Sequence, residues 1–223
     1  MTKVVTVKRR ALAANEERAE RLRARFAASG TLVANLISSP GSGKTSLLEA
    51  TVRALDDELT TAVIEGDVAT ENDADRIRAL GVPAHQILTG GACHLDARLV
   101  ETGIEEGGLP EVDILFIENV GNLICPTTYD LGEDFKVVLL SVAEGDDKPV
   151  KYPAIFARAE VAVVTKSDLL PHVPFELDSV KSQIASLNPN GTVLVTSSID
   201  GHGLDAWLDL LRDRLQAKRQ SLG

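Results

Sequence analysis

The residues Ser38-Ser39-Pro40-Gly41-Ser42-Gly43-Lys44-Thr45 lie between a short apolar run, Leu32 to Ile37, and a helix-like segment, Lys44 to Leu55. A glycine-rich turn between a strand and a helix lets backbone N–H groups point inward and cradle phosphate oxygens. The start of the following helix adds a favourable partial positive charge. Lys44 is placed to reach the outer phosphates of a nucleotide, and the Thr45 hydroxyl to hold Mg²⁺. The expected phosphate-binding set is Ser39, Pro40, Gly41, Ser42, Gly43, Lys44, Thr45 and Ser46. One position departs from the strict pattern, because Ser38 stands where the first glycine is usual.

On either side of this loop the chain alternates. Thr61 to Ile64, Val112 to Ile117, Lys136 to Val142, Val161 to Thr165 and Thr192 to Val195 are further strand candidates. Helical patterns, including Asp73 to Leu80 and Leu204 to Leu215, fill most of the gaps. Short β-branched runs separated by helices indicate a sheet covered on both faces. The expected fold class is α/β, a three-layer P-loop NTPase fold with a mostly parallel sheet and helices on both faces. Ligands of such folds bind at the carboxyl ends of the strands, where all the motifs below fall. Residues 1–30 are expected to form an N-terminal helical extension and residues 31–223 the nucleotide-binding domain. Within the extension, Val7 to Phe26 predicts a charged helix with a thin apolar stripe of Ala11, Ala14, Ala19, Leu22 and Phe26. That stripe suits packing on the main domain or on a second copy, and a solvated arm equally well.

Composition narrows the function classes. The chain has 223 residues, 44% of them hydrophobic, which suits one globular domain. A formal net charge of -10 argues against broad nucleic-acid binding, although one pocket can still be positive. No apolar run is long enough to span a bilayer, so a cytoplasmic protein with no membrane contact is expected. Two cysteines, Cys93 and Cys125, are expected to be reduced there.

Val161 to Thr165 runs into Lys166-Ser167-Asp168, which is similar to the Asn-Lys-x-Asp guanine signature with Thr165 in first place. A carboxylate at Asp168 accepts two hydrogen bonds, from N1–H and the exocyclic amine of guanine. Adenine presents an acceptor at N1 and is repelled. The stem of Lys166 covers the face of the base. Ser197 and Ser198 follow the last strand and form the candidate second base-contacting loop.

Glu65-Gly66-Asp67 and Glu118-Asn119-Val120-Gly121-Asn122 end two of the strands. Acidic residues at such positions hold Mg²⁺ or orient the attacking water. The expected magnesium set is Thr45, Asp67 and Glu118, and the expected catalytic set is Lys44, Asp67 and Glu118. Gly121 frees a backbone N–H to approach the outer phosphate, giving a loop that changes shape on hydrolysis. Just beyond it lies Cys125, and Cys93-His94 sits on another strand-end loop. Two thiolates and an imidazole suit Zn²⁺ or Ni²⁺. Three ligands fall short of a closed tetrahedral site, leaving a position for water or for a ligand from a second subunit.

The runs Ile64-Glu65-Gly66-Asp67, Gly91-Ala92-Cys93-His94-Leu95-Asp96-Ala97 and Glu118-Asn119-Val120-Gly121-Asn122-Leu123-Ile124-Cys125-Pro126 closely resemble the hydrogenase nickel-incorporation GTPases, the HypB family. So do Asp130-Leu131-Gly132-Glu133 and Gly145-Asp146-Asp147-Lys148-Pro149. The likeness covers nearly everything from about residue 31 onward. It implies GTP, Mg²⁺, Ni²⁺ and Zn²⁺ as ligands, and a nucleotide-dependent homodimer with Cys93, His94 and Cys125 at its interface. A small zinc-binding accessory protein, HypA-like, is the implied partner, and a nickel–iron hydrogenase large subunit the implied client. No cysteine precedes Cys93 in this sequence and no His-rich stretch occurs in it, so the N-terminal nickel holding or storage of some members is not expected. The expected function is a slow GTPase that delivers nickel during hydrogenase maturation. The alternatives are a GTPase serving urease or another metalloenzyme, and a metal-binding protein merely stabilised by nucleotide. Leu169 and Val173 are expected as further dimer contacts.

Overall fold

The computed structural model of the protein describes residues 2–67 and 72–222, with residues 2–9 described by backbone alone. Seven strands form one sheet: β1 (Leu32–Ser38), β2 (Thr61–Asp67), β3 (Ala84–Leu88), β4 (Ile114–Glu118), β5 (Phe135–Ser141), β6 (Val161–Thr165) and β7 (Thr192–Val195). Their order is β3-β2-β4-β1-β5-β6-β7, and every pairing is parallel. The helices are α1 (Thr2–Ser29), α2 (Lys44–Leu55), α3 (Asn72–Arg78), α4 (Ala97–Glu106), α5 (Lys148–Lys151), α6 (Pro153–Arg158), α7 (Leu177–Leu187) and α8 (Leu204–Leu222).

Every residue of β1 is buried, as its central place requires. Side chains of a strand alternate between faces. Leu32, Ala34 and Leu36 pack on one face with Leu47 and Leu48 of α2 and Trp207 and Leu211 of α8. Val33 packs on the opposite face with Leu22 and Phe26 of α1 and Val100 and Ile104 of α4. Ile37 joins a third cluster with Ile155, Phe156, Val180 and Ile184, from α6 and α7. Asn35 is a buried polar residue in the middle of β1, and its amide donates to Glu133 Oε1 at 3.2 Å.

Two expectations change. The strand β3 carries no sequence signal, because His85 and Gln86 break its apolar run at the edge of the sheet. The helix α1 is longer than Val7 to Phe26, and its buried stripe is Asn15, Ala19, Leu22 and Phe26, while Ala11 and Ala14 are exposed. Spacings of four, three and four place those residues on one face. Burying Leu22 and Phe26 contributes roughly 1.5–3 kcal/mol each, which holds the C-terminal half of α1 against α4 and the sheet. Leu169 and Val173 are half-buried against the third cluster, which leaves less of their surface for a second copy.

Candidate nucleotide and metal sites

The loop between β1 and α2 turns inward through Gly41 and Gly43, at φ 76° and 89°, a region closed to most side chains. Ser38 explains its own departure from the pattern. Its hydroxyl is fully buried and accepts a hydrogen bond from Lys44 Nζ at 2.9 Å. Lys44 Nζ also lies 3.7 Å from Glu118 Oε1, and Thr45 Oγ1 donates to the same oxygen at 3.1 Å. Lys44, Thr45 and Glu118 line a cleft of about 400 Å³ together with Glu65, Asp67 and Gly121. Pro40, Ser46 and Lys166 also face it.

The parallel register of β2 and β4 puts Glu65 beside Glu118. Burial first, and then the Glu118 carboxylate, push the Glu65 carboxyl far above the usual range. Burial also raises Glu118, while Lys44 pulls it down. Two carboxylates this close, removed from water, share a proton. Glu65 Oε1 and Glu118 Oε2 have no hydrogen-bond partner among the described residues. Buried, unpartnered carboxylate oxygens next to a threonine hydroxyl suit a hard cation such as Mg²⁺. Thr45 and Glu118 stand together here, and Asp67 lies at the rim of the same cleft, where its backbone carbonyl accepts from Thr89 N at 2.9 Å. Glu65, which stands outside the expected magnesium set of Thr45, Asp67 and Glu118, is brought to the site by this register.

At the other end of the cleft Lys166 takes a left-handed conformation, φ 58°, and its Nζ donates to the Gly41 carbonyl at 2.7 Å. Thr165 Oγ1 donates to the Ser42 carbonyl at 2.6 Å. The short hydroxyl thus joins the Lys-x-Asp turn to the phosphate loop. Asp168 Oδ1 accepts from Ser197 Oγ at 2.7 Å, so the two candidate base loops meet, with half-buried Ser198 next to them. His202, unassigned in sequence, braces the same corner: its ring Nδ1 is 3.2 Å from Ser167 Oγ. Glu144 and Lys148, outside the expected phosphate-binding set, also reach the phosphate loop. Ser42 Oγ bonds Glu144, and Lys148 Nζ donates to Ser39 Oγ at 3.3 Å.

The strand-end loops bring Cys93, His94 and Cys125 together, with their ligand atoms all within 4.8 Å of one another. His85, His172 and His202 do not join them. Cys93 Sγ is 3.6 Å from His94 Nδ1. A hydrogen bond to Cys125, followed by burial, raises the Cys93 thiol. Burial lowers His94 against the opposing pull of Asp96, which favours the neutral, ligating imidazole. The ring of Tyr129 lies over that of His94, with centroids 3.9 Å apart. Two sulfurs and a neutral imidazole fit a borderline-soft divalent ion.

The segment after Glu118 joins the two sites. A Cβ on Gly121 would lie 2.9 Å from Pro40 Cγ and 3.0 Å from Pro40 N, so the segment is packed on the phosphate loop. Two residues earlier, Asn119 is 1% exposed, and its Oδ1 accepts from the backbone of Leu95, the neighbour of His94, at 3.1 Å. Leu95 also fills the space beside Gly66, where a Cβ would meet its side chain at 2.8 Å.

Known proteins share this arrangement of the chain. Residues 32–195 match the CobW/HypB/UreG, nucleotide-binding domain family. The hydrogenase maturation factor HypB of Escherichia coli strain K12 is 51% identical over 197 residues, which cover 88% of this chain and 68% of that one. The structure of HypB from Archaeoglobus fulgidus superposes with a TM-score of 0.86 at 38% identity, covering 92% of this chain and 100% of that one. HypB from Helicobacter pylori in complex with nickel gives 0.85 at 41% identity, covering 94% and 97%. The chain belongs to the CobW/HypB/UreG nucleotide-binding family and, within it, to the HypB hydrogenase maturation factors.

Proposed function

We propose that this protein binds and slowly hydrolyses GTP, and that its nucleotide state controls nickel held by Cys93, His94 and Cys125 for delivery to a hydrogenase. One observation carries the reading. The segment from Glu118 to Gly121 touches the phosphate loop at Pro40 and the cysteine–histidine loop at Leu95. A change at the outer phosphate that moves this segment therefore moves both loops. Nickel as cargo is supported by the donor set and by the nickel complex of the Helicobacter pylori relative.

In the hydrolytic step, Lys44 and the inward N–H groups of the phosphate loop meet the charge that grows on the outer phosphate. Thr45 and Glu118 would hold Mg²⁺, which would supply Lewis-acid neutralisation of that charge. Asp67 orients the attacking water. Asp168 reads guanine, and Lys166 covers it. Intrinsic turnover is on the order of 10⁻⁴ to 10⁻² per second, as for switch-type GTPases without a partner. A homodimer formed across the metal site supplies the missing ligands. A HypA-like zinc protein and the hydrogenase large subunit are the proposed partners, Zn²⁺ is the competing metal, and the cytoplasm is the compartment.

The test is Ni²⁺ titration calorimetry with and without a non-hydrolysable GTP analogue and Mg²⁺, on wild type and Cys125→Ala. Nickel affinity is expected to change with nucleotide in the wild type only. Identical affinity in all four conditions would sink the coupling while leaving a nucleotide-binding protein.

Gly121→Ala probes the link directly. Its Cβ meets backbone as well as the Pro40 ring, so the two loops have to part. GTP hydrolysis is expected to fall at least about tenfold, as when one transition-state contact is displaced. Nickel affinity in that variant no longer depends on nucleotide. Wild-type hydrolysis and coupling in Gly121→Ala refute the contact as the link.

A further inference from the structure

We propose that Asn15, on α1, is a positioning residue that sets the spacing of the two loops carrying Cys93, His94 and Cys125. The proposal rests on the reading of those three residues as a metal site. Asn15 is 7% exposed. Its Oδ1 accepts from the backbone of Ala97 at 2.8 Å, and its Nδ2 donates to the carbonyl of Asp130 at 2.8 Å. Ala97 opens α4 just after Cys93 and His94. Asp130 follows Tyr129, the ring that lies on His94, in the loop that begins with Cys125. One side-chain amide therefore spans the two segments that supply all three ligand atoms.

Its position makes the choice of residue informative. Asn15 lies on the same stripe as Ala19, Leu22 and Phe26, which are apolar and buried. A buried amide on such a stripe is unfavourable unless both its ends are bonded, and both are. Arg23, about two turns further along α1, fixes the second loop again by donating to both carboxylate oxygens of Asp130 at 2.6 Å. Gly132 sits so close to α1 that a Cβ there would lie 2.8 Å from the Ala19 carbonyl. The helix thus acts as a fixed bar, and Asn15 ties both loops to it. Chelation by groups from separate loops depends on their being held at the right separation before the ion arrives.

The experiment uses the full chain, titrated with Ni²⁺ alone. It reads affinity and the thiolate-to-Ni²⁺ charge-transfer band, which responds to ligand geometry. Asn15→Ala is expected to weaken Ni²⁺ about tenfold, the low end for groups that orient ligands from outside, and to shift or weaken the band. Arg23→Gln, at a half-exposed position, moves both readouts the same way by less. Arg18→Ala, which breaks only the bond from α1 to Glu101 of α4, leaves them unchanged. Wild-type affinity and band in Asn15→Ala overturn the proposal, as does an equal loss in Arg18→Ala. Should Asn15→Ala not fold, an unchanged band in Arg23→Gln overturns it instead. A wild type that binds no Ni²⁺ overturns the metal reading and this proposal together, whereas wild-type binding untouched by Asn15→Ala overturns this proposal alone.

Discussion

Replacing Asp168 with Asn converts the expected guanine site into a xanthine site. In the proposed GTP complex the carboxylate accepts from both N1–H and the amine of guanine. An amide keeps one acceptor and turns the other contact into a donor that faces the amine. Xanthine has a carbonyl at that carbon, and it accepts from the new donor. Each mispaired buried group costs about 1–3 kcal/mol, so the preference for GTP over the xanthine nucleotide is expected to shift by on the order of 10³. The loop should survive, because Ser197 Oγ, which donates to Asp168 Oδ1 at 2.7 Å, finds an acceptor in the amide as well. Competition binding with the two triphosphates and ATP is the measurement. An unchanged preference for GTP in the variant, or equal binding of ATP and GTP by the wild type, removes Asp168 as the selector.

Lys44→Ala is expected to lower GTP hydrolysis by on the order of 10²–10³, the usual loss when one donor to developing charge is removed. The structure also constrains what happens to the fold. Lys44 is buried, 3.7 Å from Glu118, which itself neighbours Glu65. Deleting a cation from a buried pair commonly costs about 3–5 kcal/mol, because a charge is left stranded. Here both carboxyls are already raised by burial, and without Lys44 they rise further and take up a proton. The variant should therefore fold, at a cost below that range. Phosphate release by the purified variant gives the first number. Hydrogenase activity in cells carrying it gives the second, and full activity there would mean that metal delivery does not need hydrolysis.

The elements that were legible are those whose chemistry is written in local spacing. The loop from Ser38 to Thr45, the Lys-Ser-Asp turn and the buried strands all declare themselves through residues a few positions apart. The trio Cys93, His94 and Cys125 was legible at one remove, because a parallel sheet gathers its strand-end loops on one rim. What stayed hidden depends on neighbours distant in sequence. β3 needs only one apolar face at an edge, so His85 and Gln86 mask it. Glu65 acquires its partner from the register of β2 against β4. The Thr165 hydroxyl gains its use from the Ser42 carbonyl, and Asn15 from two loops that no periodicity connects to α1. In each case the sequence shows the residue type, and only the assembled sheet supplies what it bonds.

The aromatic side chains divide this molecule into two optical compartments. The sequence contains one tryptophan and two tyrosines. Trp207, on α8, is fully buried, and its indole N–H donates to Thr51 on α2, the helix that the phosphate loop opens. Tyr129 lies against His94, with ring centroids 3.9 Å apart. Emission from the indole is thus tied to the nucleotide's helix, and absorbance of the phenol to the imidazole beside the cysteines. On the proposed function, nucleotide turnover and metal binding each lie beside a different native chromophore, so their order in time is open to stopped-flow recording without any added label.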